Sequence, residues 1–187
     1  MKTVYYITKN EEKIKSANSI LKEYGINVAQ AALETPEIQS DNAKDVAIYS
    51  AEYGSKKIGK PVIKMDVEFC IEALNRFPGP YIKYLNKCMG PEKVVSLMDG
   101  ETNRKAYFND VICIFDSKNN INKCFEFRTN GIIGDKVLGK DGWGIDKIFI
   151  PDGYTKTLAE MSEEERLEVW KNNLWGELAD YLKKVLE

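Results

Sequence analysis

IKMDVEF, residues 63–69, places Ile63, Met65, Val67 and Phe69 in alternation with Lys64, Asp66 and Glu68. A period of two is the pattern of a β-strand with one apolar face. Asp66 and Glu68 then project from the same side, a step of roughly 6–7 Å apart along the strand. Two readings stay open for this pair. It is the wet face of a half-buried sheet, or it is two carboxylates held for chemistry. Beyond it the alternation stops at CIEAL (70–74), and Pro78-Gly79-Pro80 follows. The strand therefore runs over 61–70 and then turns.

Upstream, TVYYIT (3–8) has the character of a short buried strand. EEKIKSANSILKEYG (11–25) sets Ile14, Ala17, Ile20, Leu21 and Tyr24 at helical spacing, with Gly25 as its stop. A strand over 26–33, a loop over 35–42 and a helix over 43–58, with Val46, Ala47, Ser50 and Ala51 inward, lead into the strand at 61. Downstream, two short helices end near Met98. Residues 105–115 and 121–130 bracket a loop of about five residues as a β-hairpin. A glycine-rich stretch (131–146), a short strand (147–150) and a turn (151–155) precede Ser162 and Glu165. Those two form a capping box for one long C-terminal helix over 163–186. Helix–strand alternation in the first third, then a hairpin, predicts an α/β fold with a mixed sheet and flanking helices.

At 187 residues the chain suits one large domain or two lobes sharing a core. With 43% hydrophobic and 30% charged residues and a net charge of −2, it has no general attraction for nucleic acid or an anionic membrane. No apolar run approaches the ~20 residues that span a bilayer, and no signal-peptide core opens the chain. The expected compartment is the cytosol. Cys70, Cys88, Cys113 and Cys124 show no CxxC spacing; three of the four sit among apolar neighbours and are expected as small core residues, rather than a disulfide or zinc site. There is no histidine, which excludes Ser-His-Asp and Cys-His catalysis and imidazole metal sites. An enzyme built from this chain works with carboxylates, lysines, hydroxyls and an oxygen-loving metal such as Mg²⁺.

Three stretches could carry such chemistry. In TKNEEK (8–13), Asn10 stands at an N-cap and Lys13 in the first helical turn, so strand, free N–H groups and cation together make either a phosphate site or an ordinary capped helix. In PEIQ (36–39), Glu37 is a loop carboxylate whose interest depends on Asp66 and Glu68 lying nearby as partners for Mg²⁺. In GWGID (142–146), glycines leave a face of Trp143 open to stack a base or to pack, and Asp146 could accept hydrogen bonds from a base or end the loop.

Taken in order, T-x-N-x-x-K, PE-x-Q, the Asp66 strand with CIEAL, PGPYIK (78–83), GWGID and IFIPDGYTKTLAEM (148–161) resemble the inosine triphosphate pyrophosphatase family, the non-canonical purine NTP pyrophosphatases. The resemblance covers Thr8 to about residue 166. It implies an elongated α/β fold, with two lobes around a nucleotide-binding cleft in one domain, usually as a homodimer. It further implies attack of water on the α-phosphorus of a nucleoside triphosphate, dependent on Mg²⁺ (Mn²⁺ being the alternative ion), to give the monophosphate and pyrophosphate. By position, Thr8, Asn10, Lys13 and Arg166 would bind phosphate, and Lys13, Glu37 and Asp66 would be catalytic. Glu37 and Asp66 would serve the metal and the water. Glu68 stands where the family has glycine; facing the same side as Asp66, it is either a third metal carboxylate replacing the one lost at Met65 or a solvated strand residue. Trp143 would stack the base, and Asp146, Lys171 and Asn172 would meet its edge.

The chain departs from the family pattern at defined places. Lys9 stands where glycine is usual, and Met65-Asp66-Val67-Glu68 replaces [ED]-D-[ST]-G. Arg166 replaces a lysine, and Trp170-Lys171-Asn172 falls on the Ser-His-Arg triplet that contacts a 6-keto purine. The expectation is retained catalysis with an altered base preference. The alternative is a nucleotide-binding or regulatory protein that has lost turnover.

Overall fold

A computed structural model describes residues 2–185. The strand that opened the reading is Val62–Ile71 (β3), against the expected 61–70. It follows β1 (Lys2–Tyr6), α1 (Glu11–Leu21), β2 (Ile26–Gln30) and α2 (Ala43–Ile58). After it come β4 (Pro78–Gly79), α3 (Ile82–Cys88), α4 (Gly90–Leu97), β5 (Lys105–Asp116), β6 (Ile121–Ile133), β7 (Phe149–Pro151), α5 (Glu163–Val169) and α6 (Leu174–Val185). The hydrogen-bonded strand order is β2-β1-β3-β5-β6-β7, with β4 paired to β3. β1 runs parallel to β2 and to β3, whereas β4 and β7 pair antiparallel, so the expected mixed sheet is observed.

Local signals explain most boundaries. After α1 a tight turn ends at Gly25, whose φ of 74° is the left-handed conformation that glycine adopts without strain. The Asn42 side chain accepts from Asp45 N (2.9 Å) and starts α2 where the polar loop ends. Asp116 holds the hairpin loop, accepting from Lys118 N (3.0 Å) and the Asn119 amide (2.7 Å). No helix among the described residues is long and apolar enough to cross a membrane.

The chain divides into two compact units, and β3, β5 and β6 each pass from one to the other, at 66/67, 109/110 and 127/128. The first unit is built on the chain up to Asp66, Asp110–Phe127 and the segment from Asn173. Its core joins Val4, Tyr6, Ala17, Leu21, Ile63, Ile112, Ile114, Leu178 and Leu182. The second unit, Val67–Asn109 with Arg128–Asn172, has an aromatic centre. There Phe69 and Phe149 pack on Phe108 with ring centroids 4.6 and 5.1 Å away. Along β3 the alternation holds: Ile63 and Met65 pack in the first core, and Val67, Phe69 and Ile71 in the second.

Two expectations are corrected. The single helix over 163–186 is two. The capping box forms as expected, with Glu165 N donating to Ser162 Oγ (3.2 Å) and Ser162 N to the Glu165 carboxylate (2.8 Å). The helix then stops at Val169. Asn172 turns its amide onto Trp170 O (3.1 Å), and the Asn173 carboxamide lies against Gly176 at the start of α6. Consecutive asparagines compete with helical hydrogen bonds in this way. The break also serves packing: Trp170 meets Phe108 (5.1 Å) in the second unit and Trp175 meets Tyr6 (5.8 Å) in the first. One continuous helix would instead fix the two indoles about 140° apart on a single rod.

The second correction concerns the cysteines. Cys113 on β5 and Cys124 on β6 are disulfide-bonded, with Cα atoms 4.1 Å apart. Their separation of 11 residues carries no motif, because only the hairpin register brings the two side chains opposite each other. Cys70 is buried and free, as expected of a core residue, while Cys88 is exposed.

Candidate active site

In the first unit β1 has β2 on one side and β3 on the other, so the chain reverses its direction of travel across the sheet at β1. Ligands of open α/β sheets bind beyond the carboxyl ends of the strands at such a reversal. A cavity of about 380 Å³ lies there. Thr8 and Lys9 line it from the end of β1, Leu33, Glu34, Thr35 and Glu37 from the segment after β2, and Lys64 from β3. Two of the residues singled out in the sequence, Thr8 and Glu37, thus share one cavity. The loop before α1 is fixed by Thr8, whose Oγ1 accepts from Asn10 N (3.1 Å) and whose carbonyl accepts from the Gln30 amide (2.8 Å). Asn10 and Lys13 are exposed at the start of α1.

Lys9, where glycine was expected, forms an exposed ion pair with Glu34 (2.8 Å). Hydrogen bonding between the two raises the lysine pKa and lowers that of the glutamate.

The carboxylates separate into three environments. Asp66 is half-buried, and its charge adds to burial in holding the Tyr6 phenol far above its ordinary pKa. Glu37 is exposed. Glu68 is 1% exposed, and its Oε1 accepts from Arg76 (3.3 Å) and Asn109 (3.1 Å) within the second unit. Among the described residues no group of three or more acidic or cysteine side chains is arranged to hold an ion. Glu37 and Asp66 belong to the first unit, whereas Glu68 is engaged by a guanidinium in the second. Arg76 itself adopts a left-handed conformation (φ 69°), unusual for a side-chain-bearing residue.

One carboxylate was missed in the sequence. Asp110 on β5 is 8% exposed, and burial pushes its pKa up to about 6, against the pull of the nearby Lys13 charge. Ile112 and Ile114 pack with Ile63 and Met65, so by strand parity Asp110 lies on the side of the sheet that Met65 occupies. The available signal was an acidic residue, next to Asn109, inside the mainly apolar run of 106–115. Lys64 was likewise passed over as ordinary strand polarity.

In the second unit the Trp143 loop is well defined. Trp143 is 57% exposed, and its backbone N–H donates to the Asp146 carboxylate (2.7 Å). Gly142 and Gly144 have φ of 77° and 51°, and the Asn86 carboxamide presses on Gly144, so neither position accommodates a side chain. Burial raises the Asp146 pKa, offset in part by the Trp143 N–H and by the Arg166 guanidinium. The charge of Arg166 thus reaches Asp146, which holds the Trp143 loop. The remaining two base-edge candidates are placed differently. Lys171 is exposed and paired with Glu168 (3.3 Å), and the Asn172 amide donates to Trp170 O (3.1 Å).

The sequence model of the Ham1 family matches residues 4–171. A Methanopyrus kandleri protein named dITP/XTP pyrophosphatase is 39% identical over 166 residues, 89% of this chain and 88% of its own length. A Thermococcus kodakarensis protein of the same name is 35% identical over 183 residues, covering 97% of this chain and 98% of its own. Among solved structures, the Staphylococcus aureus Ham1 protein superposes with a TM-score of 0.83 at 25% identity, covering 98% of this chain and 99% of its own.

Proposed function

The chain belongs to the Ham1 family, and we propose that it is a nucleoside triphosphate pyrophosphohydrolase, converting a purine NTP or dNTP to the monophosphate and pyrophosphate. The observation that carries this reading is the cavity at the reversal point of the sheet, lined by both Thr8 and Glu37. The names of the relatives support the same chemistry.

In this reading Thr8, Asn10 and Lys13 hold the triphosphate at the start of α1, where the helix N-terminus favours an anion. Glu37 and Asp66 would hold Mg²⁺ or Mn²⁺. The donor set fits: both are hard oxygen ligands, and Mg²⁺ takes one or two protein carboxylates with water and phosphate completing its shell. When bound, the ion supplies charge stabilisation of the phosphoryl oxygens. Asp66 takes up a proton from the attacking water as its oxygen bonds to the α-phosphorus. The bond from that phosphorus to the bridging oxygen breaks, and pyrophosphate leaves. Glu68, spent on Arg76 and Asn109, has a structural role; Asp110 is the acidic group that faces Lys13 in place of the residue missing at Met65. The same reading carries a homodimer, a state that light scattering on the purified chain decides.

Trp143 stacks the base, and Asp146 reads its edge or fixes the loop under it. Without Ser-His-Arg the base edge is met by different groups, and a site built on hydrogen bonds discriminates through exactly those partners. The base preference is therefore altered. Pyrophosphate release from a panel of triphosphates with Mg²⁺ is expected to show substrates beyond ITP and XTP with comparable kcat/KM. Clear preference for ITP and XTP over all others contradicts the altered specificity. Tight binding without release from any triphosphate favours the non-catalytic alternative, which Met65 and Val67 motivate.

A further inference from the structure

The cavity of the first unit contains more charge than the assigned roles use. Of its four charged side chains, Lys9 and Glu34 neutralise each other across 2.8 Å. Glu37 and Lys64 remain, and neither forms an ion pair among the described residues. Lys64 is half-buried on β3, two residues before Asp66 and on the same side of the strand.

β1 and β3 are paired in parallel with Tyr6 opposite Ile63, and Ile7 N donates to Ile63 O (3.0 Å). Continuing that register sets Ile7 beside Lys64 and Thr8 beside Met65. The lysine thus emerges next to the segment that carries Thr8, at the carboxyl end of β1. Its distance from Asp66 along the strand is roughly 6–7 Å, comparable to the length of a diphosphate group. A cation so placed meets the far phosphates when Asp66 stands at the α-phosphorus.

We propose that Lys64 is a further substrate-binding residue, holding the pyrophosphate half of the triphosphate and neutralising the charge that this half gains as it leaves. The proposal rests on the hydrolase reading above and adds the residue that grips the leaving group. An ammonium can act here as a compact charge with three donors for phosphate oxygens. Thr8 and Thr35 line the same cavity and supply neutral hydroxyls.

The test is calorimetric binding of pyrophosphate, in the presence of Mg²⁺, to the wild type, Lys64→Met and Lys64→Arg. Loss of one charge-assisted contact weakens binding by about tenfold or more. Lys64→Met is expected to lose pyrophosphate affinity by that factor, while affinity for a nucleoside monophosphate stays within about twofold. Lys64→Arg keeps the charge and is expected to retain most of the pyrophosphate affinity. The same pyrophosphate affinity in Lys64→Met as in the wild type, an equal loss for the monophosphate, or no pyrophosphate binding by the wild type overturns the proposal. Because the probe is the product and no turnover is read, the result stands apart from the hydrolase reading. That reading fails instead if the wild type hydrolyses no triphosphate.

Discussion

Asp66→Asn is expected to lower the rate of pyrophosphate release by about 10²–10⁴-fold, the usual range for removal of a positioned proton acceptor. The substitution preserves size and removes the charge, and with it the capacity to accept the proton of the attacking water. Asp66 is half-buried at the end of the first unit's part of β3, two residues beyond Lys64. Single-turnover measurement at saturating enzyme separates this chemical loss from a change in binding. The substrate should remain bound, because Thr8, Asn10 and Lys13 are untouched. Thermal unfolding of the variant near the wild-type temperature shows that the sheet is intact. Turnover within about threefold of the wild type would remove Asp66 from the chemistry.

Asp110→Asn is expected to stabilise the protein at neutral pH by roughly 2–3 kcal/mol, at about 1.4 kcal/mol per unit of pKa displacement. The folded-state pKa is pushed from 3.8 up to about 6, with burial as the main cause and Lys13 opposing it. The unfolded chain ionises this group more readily than the folded one. Its favourable contribution is therefore fully present below about pH 4 and is lost as the pH rises through 6. Above that, the folded state carries a buried charge at a cost, and asparagine removes it. Denaturant titrations of both proteins at pH 8 and pH 4 are expected to show a gain at the higher pH that disappears at the lower one. An equal gain at both pH values, or a loss at pH 8, contradicts the assignment.

The sequence carried the parallel first third of the fold because its signals are local. Gly25 and Asn42 end and start helices where the chain says they should, and the alternation of IKMDVEF survives intact as β3. The hairpin was likewise legible from the polar stretch 116–120, of which the structure leaves 117–120 as the loop. What failed depended on contacts distant in sequence. Ser162 and Glu165 announce the start of a helix, but its end is set by two indoles that pack in different cores. Cys113 and Cys124 carry no spacing motif, and only strand register joins them. Period-two geometry put Asp66 and Glu68 on one side of β3. It could not reveal that Arg76, from a left-handed turn, engages Glu68. Asp110 and Lys64 were hidden for a different reason: each reads as ordinary strand polarity, and the groups that surround it are supplied by other elements of the first unit.

In the proposed reaction water attacks the α-phosphorus and pyrophosphate leaves. Hydrolysis of the preferred triphosphate in heavy-oxygen water with Mg²⁺, followed by phosphorus NMR or mass spectrometry of both products, tests it directly. The predicted result is label confined to the nucleoside monophosphate, with unlabelled pyrophosphate in equal amount. Release of orthophosphate with a nucleoside diphosphate, or label found in the pyrophosphate, would contradict it.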